Sequence, residues 1–78
     1  MKNVIIYSTP TCHFCHMAKE FFTENHIPFI DKDASTDMEA RKEAIAKSGQ
    51  MGVPVIDIEG TIIVGFNQPF IKETLGIK

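Results

Sequence analysis

Asn3-Val-Ile-Ile-Tyr-Ser-Thr-Pro-Thr-Cys12-His-Phe-Cys15-His-Met-Ala-Lys-Glu-Phe-Phe22 changes its apolar period in mid-course, and that change decides the fold. Residues 3 to 8 are β-branched and aromatic without alternation, which suits a central strand covered on both faces. Thr9-Pro10-Thr11 breaks the run. From there Phe14, Met17, Ala18, Phe21 and Phe22 recur at helical spacing, with His13, His16, Lys19, Glu20, Thr23 and Glu24 opposite, so an amphipathic helix begins near Cys12. Asn25 terminates it, and Ile27-Pro28-Phe29-Ile30-Asp31 reads as a second strand, with Pro28 tolerated near its start. The unit is βαβ.

Working outward, Thr36-Asp37-Met38-Glu39 has capping-box spacing and predicts a second helix with Thr36 as its cap. Its apolar side is Ala40, Ala44, Ile45 and Ala46, its outward side Arg41, Lys42, Glu43 and Lys47, and Gly49 is its left-handed end. Val53 to Ile58 and Thr61 to Val64 flank Glu59-Gly60 as an antiparallel hairpin. Asn67 caps a last short helix with Pro69 in its first turn, Phe70, Ile71 and Leu75 inward, and Gly76 at its end. The order β-α-β-α-β-β-α predicts a three-layer α/β domain with a four-stranded mixed sheet, the parallel pair joined by a right-handed crossover. Reactive groups of such sheets lie beyond the strand C-terminal ends, where Cys12 falls.

With 78 residues, 1–78 is expected to be a single domain, and 44% hydrophobic content with six Phe suffices for a core. A net charge of -2 offers no basic excess for phosphates, so nucleic-acid binding is disfavoured. The longest apolar runs fall far short of the roughly 20 residues of a membrane span, and the N-terminus lacks the apolar core of an export signal. The expectation is a cytoplasmic monomer that touches no membrane.

Cys12-His13-Phe14-Cys15 is a C-x-x-C at a strand-to-helix junction, the context of a thiol redox pair. A thiol at a helix N-terminus faces unpaired N–H groups and the positive end of the macrodipole, which favour a thiolate. Cys12 is therefore the candidate nucleophile. Cys15, one turn further in at the edge of the apolar stripe, is expected to stay a thiol until Cys12 has formed a mixed disulfide, and then to resolve it. A structural staple is the lesser reading, because a bridge over so short a loop constrains the unfolded chain little.

The same residues admit other readings. Cys12 to His16 is literally the C-x-x-C-H of covalent haem attachment, but a helix opening directly after a strand leaves no room for a haem. A zinc site of Cys12, His13, Cys15 and His16 would need neighbouring helical residues to converge, so no metal ligand is assigned. An iron-sulfur or metal-binding adaptor built on the C-x-x-C stays as the alternative of another class, and its purified form would be brown or zinc-loaded. His13 and His16 read as solvent-facing, or as a nearby imidazolium that favours the thiolate. Phe14 reads either as core or as an apolar rim of the site.

At these residues the chain resembles a known family. Tyr7 to Lys19 looks like the active-site segment of glutaredoxins, and Gly52-Val53-Pro54-Val55 is similar to their Thr-Val-Pro loop, with the whole chain covered in element order. The resemblance implies a thioredoxin fold with sheet order 2-1-3-4, a cis Val53–Pro54 bond beside the cysteines, and dithiol-disulfide exchange on disulfide-bearing proteins or low-molecular-weight disulfides. It implies no bound cofactor, with glutathione or a thioredoxin reductase as external reductant. Substrate contacts are expected from Val53, Pro54, Gly65, Phe66, Phe14 and Asn67. Glutathione-using members commonly carry a Lys three residues before the first Cys and Gly-Gly with an acidic residue near the last helix; here stand Thr9 and Val64-Gly65-Phe66-Asn67. Only neutral donors are left for glutathione: Gly65, the Val53 backbone and the Asn67-capped helix. Gly65-Phe66 is similar to the Gly-Phe of the glutaredoxin-like redoxins (NrdH type) that serve ribonucleotide reductase. The Arg-Pro-Asp that follows it there is absent, and the spacer between the cysteines differs. The expected donor is a thioredoxin-reductase-type flavoprotein.

Overall fold

The computed structural model describes residues 3–50 and 52–77. Its elements are β1 (Val4–Ser8), α1 (His13–Glu24), β2 (Ile30–Asp33), α2 (Met38–Ser48), β3 (Val55–Ile58), β4 (Thr61–Val64) and α3 (Gln68–Leu75). They occur in the order read from the periodicities. The sheet runs β2-β1-β3-β4, with β1 parallel to β2 and antiparallel to β3, and β3 antiparallel to β4.

Both faces of the sheet are covered, as the unbroken apolar run of β1 requires. Val4 and Ile6 of β1, with Ile56, Ile58 and Ile63, pack against Ala18, Phe21 and Phe22 of α1 and Ile71 of α3. The alternate residues Tyr7 and Val55, with half-buried Ile5 and Ile62, pack against Ala40 and Ala44 of α2. The Glu59-Gly60 turn has positive φ at both residues, 50° and 92°, which matches the twist of the hairpin it joins. Among the described residues no helix is long and apolar enough to cross a membrane.

Four local expectations are corrected. The second strand starts at Ile30, not Ile27. The Ile27 N–H is bound to the Phe22 carbonyl at 2.8 Å in the closing turn of α1, and Pro28 has no N–H, so no ladder forms before them. The cap of α2 is Asp37, whose carboxylate accepts from the Glu39 and Ala40 N–H groups at 3.0 and 3.3 Å. Thr36 hydrogen-bonds to Asp33 instead, beside Ser35. The third strand begins at Val55, since Pro54 brings no donor to the ladder; Val53–Pro54 is cis, as the resemblance implies. Finally Phe14, Met17 and Phe70 are exposed, and Ala46 lies on the outer side of α2; Cys15, Ala18, Phe21 and Phe22 form the buried stripe of α1.

Candidate active site

The reactive corner is built by a turn and a helix start. Thr9-Pro10-Thr11-Cys12 closes through the Cys12 N–H donating to the Thr9 carbonyl at 3.3 Å, with Pro10 at the second turn position that its fixed φ favours. Cys12 is then the N-cap of α1, with extended φ and ψ of -85° and 114°. Its Sγ accepts from the Cys15 N–H at 3.3 Å, one of the donors a helix N-terminus leaves unpaired. The first helical hydrogen bond of α1 runs from the His16 N–H to the Cys12 carbonyl at 3.3 Å. The His16 ring Nε2 lies 2.7 Å from the Pro10 carbonyl oxygen.

The two sulfurs occupy unlike environments. Cys12 is half-buried at the surface, whereas Cys15 is fully buried on the core face of α1; both are free thiols. Burial first, then the hydrogen bond with Cys12, pushes the Cys15 thiol up to about 12. A backbone hydrogen bond with Thr9 opposes this, as does, more weakly, the charge of Lys19. Its ammonium is held by Asp31 at 2.9 Å, and the same carboxylate accepts from the buried Ser8 hydroxyl at 2.8 Å.

Across from the cysteines, Cys12 Sγ lies 3.8 Å from the Val53 carbonyl oxygen. Among the described residues nothing accepts from the Val53 N–H. Val53, Pro54, Phe14, Val64, Gly65, Phe66 and Asn67 line an open groove of about 330 Å³. The structure thus places all six residues singled out beside the cysteines along one groove, and of the two positions open to Phe14 it takes the exposed one, at 56%. Val64 was missed; as the last residue of β4, directly before the singled-out Gly65, it could have been found by strand alternation. Gly65 does not serve as a free donor, since its N–H is bound to the Pro54 carbonyl at 2.8 Å. The Asn67 side chain accepts from the Phe70 N–H at 3.3 Å.

Phe66 stands edge-on to Phe21, with ring centroids 5.9 Å apart, and forms the wall between the groove and a second notch of about 230 Å³. Met17, Glu20, Phe21, Glu24 and Gln68 line that notch with it. The groove is lined mostly by apolar residues, whereas the notch beyond Phe66 carries two carboxylates, Glu20 and Glu24. Among the described residues no three His, Cys, Asp or Glu side chains cluster as candidate metal ligands.

The glutaredoxin family profile matches residues 4–63. The chain is 47% identical to an uncharacterised glutaredoxin-like 8.6 kDa protein of the rubredoxin operon of Clostridium pasteurianum, over 90% of this chain and 93% of that one. It is 32% identical to glutaredoxin 3 of Escherichia coli, over 97% and 92% of the two chains. The crystal structure of a mutant thioredoxin-like protein superposes on all of this chain with a TM-score of 0.92 at 27% identity, covering 100% of each.

Proposed function

This chain belongs to the glutaredoxin family, and from that premise we propose that it is a dithiol-disulfide oxidoreductase that reduces protein disulfides and is itself re-reduced by a thioredoxin-reductase-type flavoprotein. The observation that carries the reading is the pairing of a half-exposed N-cap sulfur with a buried thiol three residues on. Cys12 as thiolate attacks a substrate disulfide; a Cys12–substrate bond forms, the substrate S–S bond breaks, and the departing sulfur takes a proton. Cys15 then loses its proton and attacks Cys12 Sγ. The Cys12–Cys15 bond forms, the second substrate thiol leaves, and two electrons have passed to the substrate. The flavoprotein returns two electrons to the pair.

Val53 supports the binding role, because its N–H, unpaired among the described residues, and its carbonyl, which only the Cys12 thiol approaches at 3.8 Å, suit an extended substrate segment laid across them as an added strand. Phe14, Val64 and Phe66 offer its side chains an apolar floor.

The donor follows from charge. Glutathione brings two carboxylates and one ammonium, and an ion bound without a partner costs more than it returns. No Lys stands at Thr9, Gly65 is engaged with Pro54, and the surface past Phe66 carries Glu20 and Glu24. Two missing charge-assisted contacts, at about 1.5 to 3 kcal/mol each, weaken such binding by roughly two to four orders of magnitude. A protein donor needs neither contact and gains from the apolar rim.

Turnover of a protein disulfide such as insulin, with NADPH supplied through thioredoxin reductase or through glutathione and its reductase, tests the proposal. Efficient turnover with thioredoxin reductase, abolished by Cys12→Ser, is expected. Efficient turnover with millimolar glutathione and no response to thioredoxin reductase would return the chain to glutathione-dependent chemistry.

A further inference from the structure

We infer that His16 is a positioning residue for Cys12, acting through the Pro10 carbonyl rather than through charge; this rests on the reading of Cys12 as nucleophile. The turn at residues 9–12 is closed by the Cys12 N–H on the Thr9 carbonyl, which leaves the Pro10 carbonyl outside the turn's own hydrogen bond. His16, one helical turn beyond Cys12, is exposed and has solvent at hand, yet its ring lies 2.7 Å from that oxygen.

A carbonyl oxygen only accepts, so Nε2 carries the hydrogen whether the ring is neutral or charged. The effect of this clip is to fasten the strand-to-helix turn to the body of α1 by a route that bypasses Cys12. Without it, the turn is joined to the helix through Cys12 itself, and the Cys12 dihedrals become the hinge. Those dihedrals aim Sγ at the Cys15 N–H, which it meets at 3.3 Å, and a rotation about them turns Sγ away from that donor. The contact favours a thiolate at Cys12 and has no counterpart once Cys12 is in a disulfide. His16 thus tunes how readily Cys12 attacks.

The test uses the full chain in a Cys15→Ser background, where a single thiol titrates. Ultraviolet thiolate absorbance against pH and the rate of iodoacetamide labelling at neutral pH are read together with the thermal midpoint. His16→Ala is expected to slow labelling about fivefold, the worth of one ordinary hydrogen bond, and to move the thiolate midpoint upward to match. His16→Gln, which keeps a neutral donor, is expected to stay within about twofold of the parent. The inference is overturned if His16→Ala lowers the thermal midpoint alone with the thiolate titration unmoved. It is equally overturned if His16→Gln loses as much as His16→Ala, since charge and not the clip would then be responsible. Peptide mapping of the two-thiol protein separates the underlying reading: label on Cys15 in place of Cys12 rejects the nucleophile assignment itself.

Discussion

Cys15 lies on the core face of α1, three residues from Cys12, and its thiol is held up to about 12 by burial first and by the hydrogen bond with Cys12 second. At neutral pH it therefore keeps its proton, which on the proposed reading gives the pair a fixed order of attack. The same burial links Cys15 to stability. Between its ordinary value of 9.0 and about 12, the unfolded chain has released the proton while the folded chain retains it. The contribution is complete below the ordinary value and falls away as pH rises through that window. Urea midpoints of Cys12→Ser should accordingly drop more steeply from neutral to strongly alkaline pH than those of Cys12→Ser with Cys15→Ala; parallel curves would refute the burial argument. The cysteine pair was legible in the sequence because spacing and position state its chemistry. The His16 contact was not, because its partner is a backbone carbonyl, and a carbonyl leaves no mark on residue identity.

Among the elements, α2 is the one whose attachment the sequence conceals. Only Ala40 and Ala44 are buried on it, too little apolar surface to hold a helix of 11 residues. A polar network does the rest: the Tyr7 hydroxyl donates to Glu43 at 2.8 Å and accepts from Lys47 at 2.8 Å, while Lys47 also binds Asp57 at 2.7 Å and Lys32 binds Glu43 at 3.0 Å. The Lys47 and Lys32 ammonium groups lie 5.0 and 5.8 Å from the centre of the Tyr7 ring. Glu43 and Lys47 read as outward charges because helical periodicity reports the direction of a residue, not the hydroxyl waiting beneath it. Tyr7→Phe leaves both ion pairs but removes their common joint. The expected result is a thermal midpoint lower by about 4 to 8 °C, with hydrogen-exchange protection lost first from α2 amides. Uniform loss across the sheet would show that α2 is not held this way. Element order and type followed from periodicity, whereas the starts of β2 and α2 did not. Both were decided by competition for single groups, Ile27 for the Phe22 carbonyl and Asp37 against Thr36 for the first helical donors.

For the whole molecule, stability is the small remainder expected of 78 residues, roughly 4 to 12 kcal/mol, and it rests on one main core between the sheet and the α1–α3 layer. Phe22 is fully buried there, with Phe21 and Phe29 rings 5.5 and 6.0 Å away. Phe22→Ala should cost about 3 to 5 kcal/mol, a large share of the total, and leave a measurable unfolded fraction at 37 °C by circular dichroism; an unchanged urea midpoint would place the core elsewhere. Acid acts on the other layer. The Tyr7 hydroxyl and then Lys32 hold the Glu43 carboxyl below its usual range, and Lys47 with the Gly60 N–H does so for Asp57 against the opposing pull of burial. Their contribution is present above the ordinary carboxylate range and is lost as pH falls below it, so acid unfolding should begin below about pH 4.

The proposed dithiol exchange led by Cys12 joins these scales, since it gives the turn, the helix start and the buried thiol one common role. The most direct test is mass spectrometry of Cys15→Ser after incubation with a disulfide-bearing protein. A stable mixed disulfide mapped to Cys12 is expected. Absence of that adduct, together with an equivalent adduct on Cys15 in Cys12→Ser, would contradict the order of attack.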